Sequence, residues 1–110
     1  MKLKKSELNT LLITLSSTKT TGEIRIDQGL LNEKITLGLK RRLQKIAKEA
    51  YPLYDEYLAD LKECDGNEDE IKMLNDEEVT INHDPVSLAI IEAIETEHNY
   101  DWAIIEKIAE

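Results

Sequence analysis

One stretch, residues 30–63, constrains what the rest of this chain can fold into. Leu31, Ile35, Leu39, Leu43, Ile46, Ala50, Leu53, Tyr54, Tyr57 and Leu61 recur at spacings of three and four. At about 100° per residue those positions gather on one half of a helix. Unbroken, that helix would be about 50 Å long, more than a small domain covers on one side. Pro52 lies within it. A proline lacks an N–H, its ring crowds the carbonyl four residues back, and the preceding Tyr51 is pushed out of the α region. The sequence therefore predicts a bend or short break at Pro52, or a partner chain lying along the helix. Opposite the apolar half, Lys34, Arg41, Lys45 and Lys48 return to one arc, because their offsets are close to whole helical turns.

The remaining elements are short. Ser6 is placed to cap a first helix over 7–15, with Leu8, Leu11, Leu12 and Leu15 on one face. Residues 16–22 are a polar connector, and Glu23-Ile24-Arg25-Ile26-Asp27 alternates as a brief strand does. An acidic connector follows the long helix over 64–83. Within it, residues 71–81 are compatible with a small β-hairpin, and a one-turn helix over 68–74 is the competing reading. Asp84-Pro85 predicts a helix start, with Asp as N-cap and Pro as first helical residue, running over 85–98. Asp101 caps a last helix over 101–109, whose face is Trp102, Ile105, Ile108 and Ala109. The expected fold is mainly α: one domain in which a long, Pro-bent central helix packs with a short N-terminal helix and two C-terminal helices.

Composition narrows the function classes. The chain has 110 residues, no Phe, one Trp and four Tyr, so Leu and Ile must supply nearly all of the core. Its net charge of −9 is unevenly spread. Residues 1–54 carry a net +6 and residues 55–110 a net −15, a polarity that points to directional contacts with a charged partner or between copies. The competing reading is a set of solvated helix faces. A single cysteine, Cys64, has no intrachain partner, and the charged start Met1-Lys2-Leu3-Lys4-Lys5 lacks the apolar run of a signal peptide. Both features lead us to expect an intracellular protein that is not secreted. No apolar run approaches the roughly 20 residues of a membrane span.

Sites of known chemistry find little support. Only His83 and His98 are available as bases, neither in a recognisable motif, and Cys64 sits among carboxylates that should raise its pKa. Asp65, Asn67 and Asp69 alternate like the start of a calcium loop, but the sixth position is Glu70 rather than Gly and the twelfth is Asp76 rather than Glu. Glu95 and His98 have the Glu-x-x-His spacing of di-metal bundles without a second copy. Gly22, Gly29, Gly38 and Gly66 are too scattered for a phosphate loop. We therefore expect no catalytic residue, metal or cofactor. Lys40, Arg41, Arg42, Lys45 and Lys48 could follow a phosphate backbone, but the overall charge opposes it and no aromatic residue accompanies them.

The order of parts resembles a set of small helical proteins of unknown function encoded among the structural genes of tailed bacteriophages. The similar parts are the Lys-rich start Met1-Lys2-Leu3-Lys4-Lys5, the Leu-rich helix from Ser6 to Leu15, and the long charged helix with Lys40-Arg41-Arg42-Leu43. The acidic Asp65-Gly66-Asn67 turn and the segment Asp76-Glu77-Glu78-Val79-Thr80-Ile81 complete them. The resemblance covers about the first three quarters of the chain and does not extend past Pro85. It implies a phage or prophage protein that packs against other proteins in a virion or during its assembly, located in the host cytoplasm or in the particle. The expectation is a non-enzymatic structural or adaptor protein. Its contact residues would be Lys34, Arg41, Lys45 and Lys48 on the basic stripe, with Trp102 and Ile104 near the C-terminal end. The alternative is an acidic binder that inhibits a host nucleic-acid-handling protein.

Overall fold

A computed structural model describes residues 1–84, 86–96 and 98–109. The elements are β1 (Lys2–Lys4), a 3-10 turn (Lys5–Glu7), α1 (Leu8–Leu15), β2 (Ser17–Thr21) and β3 (Ile24–Gln28). A second 3-10 turn (Leu30–Asn32), α2 (Leu37–Glu63), α3 (Glu68–Asp76), β4 (Glu78–Thr80), α4 (Leu88–Glu92) and α5 (Trp102–Ile108) follow. The fold is mainly α and is organised on α2, as the periodicity requires. Leu39, Leu43, Ile46, Ala47, Ala50 and Tyr57 of α2 are buried. Against them pack Leu8, Leu11, Leu12 and Leu15 of α1, and α1 in turn packs on α5, which buries Ile104, Ile105 and Ile108.

The central helix begins later than its apolar pattern indicates. Gly29 turns the chain with φ +107°, and a Cβ there would stand 2.6 Å from the Leu15 carbonyl oxygen, so only glycine allows this close approach. Leu30 is buried in the 3-10 turn that follows, and Leu31 and Ile35 pack on the core from outside the helix. Thr36 then starts α2: its hydroxyl accepts the Leu39 N–H at 3.2 Å. The helix runs unbroken through Pro52, which is exposed. On that side the Lys48 carbonyl, left without a donor, can be met by water, so no break is needed.

The first helix is capped differently from the sequence expectation. Ser6 lies inside the 3-10 turn, and the Lys4 N–H donates to Glu7 Oε1 at 2.8 Å. No hairpin forms at 71–81. Asn67 caps α3 by accepting the Glu70 N–H at 3.1 Å, and β4 pairs antiparallel with the distant β1, Leu3 lying opposite Val79. The competing helical reading of 68–74 is the better one, extended by two residues. The fold's hairpin is instead β2–β3, in the stretch read as connector and strand, with Ser17 opposite Gln28 and Thr21 opposite Ile24.

The helix expected over 85–98 is reduced to α4. Pro85 lies outside the described residues, Ser87 is the residue before the helix, and Val86 is inserted into the core at 2% exposure. Burying Val86 and Ile91 together takes an extended approach into a single short helix. Asp101, by contrast, caps α5 as the sequence indicates, accepting from Ala103 N at 3.0 Å and Ile104 N at 3.4 Å.

Candidate interaction surfaces

Three of the four stripe residues, Arg41, Lys45 and Lys48, are exposed along α2. Beside them the segment after β4 forms the second wall of an open groove of about 720 Å³, lined by Lys45, Lys48, Glu49, Pro52, Asn82, His83 and Asp84. Lys45 Nζ stands 3.9 Å from Asp84 Oδ2, both well exposed, which is an orienting contact worth little in stability. His83 Nδ1 is 2.8 Å from the Asp84 carbonyl and donates to it, so the acidic end of the groove has a defined shape. Lys34 does not belong to this stripe. It precedes α2, outside the helical period, and lines a separate groove of about 390 Å³ with Ile35, Thr36, Leu39, Ile90, Ala93, Ile94 and Glu95.

The C-terminal contact residues also separate. Trp102 is 51% exposed, at the edge of a cavity of about 260 Å³ whose apolar lining includes Leu30, Ile91, Ile94 and Ile105. Ile104 is 2% exposed and belongs to the core, so it offers no surface to a partner. Asp101 fixes where α5 starts, and the face that the helix packs on the core holds Ile104 together with Ile105 and Ile108.

A half-buried cluster near this cavity has no sequence signal. Glu33 Oε1 accepts from Thr96 Oγ1 and from the Tyr100 hydroxyl, each at 2.5 Å, and so ties the chain before α2 to the segment before α5. Burial works against the Glu33 charge, but the two hydroxyl hydrogen bonds, with His98 nearby, outweigh it and hold the carboxyl below its ordinary value. Burial and the bond to Glu33 push Tyr100 up to about 12. Glu95 and His98 lie outside any helix, so the Glu-x-x-His spacing does not place them on one face. His98 packs edge-on to Tyr100, with ring centroids 6.5 Å apart.

On the acidic half, Asp60, Glu63, Cys64, Glu70, Leu74 and Glu77 line a cleft of about 380 Å³. Lys5 Nζ reaches Glu77 Oε2 at 2.6 Å at its margin. That hydrogen bond raises the Lys5 pKa against the effect of its own burial. Cys64 is pushed up, by burial first and then by Glu70, Asp60 and Glu63. The direction is the one the sequence indicates; Glu63 adjoins Cys64, Asp60 lies one turn back on α2, and Glu70 comes from the first turn of α3. Asp65 and Asn67 serve the turn into α3, Asp65 with φ 46° and Asn67 as cap. Among the described residues, no group of three His, Cys, Asp or Glu is placed to hold a metal ion, and no helix is long and apolar enough to cross a membrane.

Comparison with known protein families, with characterised proteins and with solved structures finds no match to this chain.

Proposed function

We propose that the chain is a non-enzymatic structural or adaptor protein that works through protein–protein contacts in the assembly or architecture of a tailed-phage virion. The observation that carries this reading is the exposed cationic face of α2, Arg41, Lys45 and Lys48, on a protein whose second half has a net charge of −15. Opposed patches of this kind orient an encounter and select a partner of complementary charge more than they add affinity. The expectation drawn from sequence, that the first three quarters of the chain resemble small helical proteins encoded among phage structural genes, supplies the setting.

The test is gradient co-sedimentation with phage particles or their assembly intermediates, at low and high salt. The expected result is an association that weakens with salt and is lost in an Arg41→Glu, Lys45→Glu, Lys48→Glu variant whose helix content is unchanged. Absence from particles and intermediates, or binding indifferent to these changes, would overturn the reading. The cleft lined by Asp60, Glu63, Glu70 and Glu77 favours a second reading, an acidic inhibitor of a basic host protein. That reading predicts a salt-sensitive complex lost on neutralising the cleft and kept in the α2 variant.

A further inference from the structure

The β2–β3 hairpin has little support from the rest of the described residues. Every strand residue except Ser17 and Gln28 at its base is exposed, so neither face reaches the core. A two-stranded hairpin without a buried face is marginal in water, and its outer edges offer unpaired backbone groups to another strand. Residues opposite one another share a face, which places Lys19, Ile24 and Ile26 on one side and Arg25 and Asp27 on the other. Ile24 is 65% and Ile26 42% exposed.

Charge identifies the occupant. The chain as a whole carries −9 and repels its own copies, whereas residues 17–28 hold Lys19 and Arg25 against Glu23 and Asp27 and are neutral. The β3 strand, Ile24-Arg25-Ile26-Asp27-Gln28, is also complementary to itself. Paired antiparallel about Ile26, it sets Arg25 across from Asp27 of a second copy, twice, and Ile26 across from Ile26. The β2 strand paired about its own centre would set Lys19 against Lys19. Arg25 Nε lies 3.2 Å from Asp27 Oδ1 on the same face, and Thr18 Oγ1 of β2 donates to that oxygen at 3.0 Å, so the pairing exchanges one exposed contact within each strand for two between copies.

We propose that β3 pairs with β3 of a second copy of this chain, joining two hairpins into a four-stranded sheet about a two-fold axis at Ile26. The four isoleucines of the two strands then lie together on one face. This inference rests on the reading that the chain acts through protein contacts, but it uses a surface separate from α2.

The test combines solution mass across concentration with charge swaps and cross-linking. Wild type is expected to dimerise, Arg25→Asp and Asp27→Arg each to be monomeric with unchanged helix content, and an equal mixture of the two variants to recover the dimer. In a Cys64→Ser background, Ile26→Cys should give a disulfide-linked dimer on oxidation and Ile24→Cys should not. A wild-type monomer at every concentration, a dimer indifferent to both charge reversals, or cross-linking at position 24 equal to that at 26 would overturn the proposal. Particle association retained by Arg25→Asp would leave the functional reading standing, which separates the two failures.

Discussion

At the residue scale, the contact with most consequence is the carboxylate of Glu33 under two hydroxyls. A hydrogen bond to a charged acceptor contributes about 1.5–3 kcal/mol, roughly twice a neutral one. Tyr100→Phe keeps the ring and removes one of the two donors. We expect it to lower stability by about 1–2 kcal/mol at neutral pH in urea unfolding. The signs of the two shifts fix the pH window. Glu33 is lowered when folded, so its contribution is present above the ordinary value of 4.5 and fades as pH falls through the folded value below it. Tyr100 is raised, so its contribution is present below the ordinary value of 10.0 and is lost as pH rises towards about 12. The difference between wild type and variant should therefore be flat across neutral pH and shrink at both ends. A difference still rising above pH 10 would refute the assignment. None of this was legible from sequence, since Glu33, Thr96 and Tyr100 lie more than sixty residues apart in the pairs that meet.

At the element scale, α2 shows how far periodicity reaches. Its apolar positions include Leu39, Leu43, Ile46, Ala50 and Tyr57, which are buried, and Leu53, Tyr54 and Leu61, which are half-buried, because a helix face must find cover whatever covers it; the pattern omits the buried Ala47. They misplaced its start, because Leu31 and Ile35 satisfy the same spacing while packing on the core from non-helical backbone. The same spacing places Lys34 on the cationic stripe, although it precedes the first turn of α2. Pro52 is the sharper test. Its place on the exposed side of an unbroken helix implies a missing hydrogen bond at the Lys48 carbonyl, with little burial to offset it. Pro52→Ala should stabilise the protein by about 1–3 kcal/mol, read as a higher urea midpoint at unchanged slope. A lower midpoint would mean that the ring holds the groove beside Asn82 and His83 in shape. The hairpin illustrates the opposite limit: by its own pattern Thr-rich β2 is a polar connector, and its pairing with β3 makes it a strand.

At the scale of the whole molecule, the radius of gyration is 15.2 Å, above the roughly 13 Å of a compact chain this long. A 27-residue helix and a projecting hairpin account for that excess. The fold is closed by its most distant segments: β1 pairs with β4, the Ile81 N–H donates to the Met1 carbonyl at 2.9 Å, and Lys107 Nζ donates to the Lys2 carbonyl at 3.2 Å. Leu3, 1% exposed at the centre of β1, is the anchor of this closure. Leu3→Ala should cost about 2–5 kcal/mol in one cooperative transition, with helix signal and tryptophan fluorescence changing together. Separate transitions would show that β1 and β4 merely rest on an independent helical unit. By itself the sequence determined the helical class, the apolar face of α2, the Asp101 cap and the charge polarity, since each follows from local spacing or from composition. Only the tertiary structure decided that β4 completes β1, that Ile104 is core while Trp102 is surface, that α4 is short, and that Glu33 receives Thr96 and Tyr100. Those outcomes depend on which distant segments meet, and neither hydrophobic period nor turn chemistry encodes a contact across sixty residues.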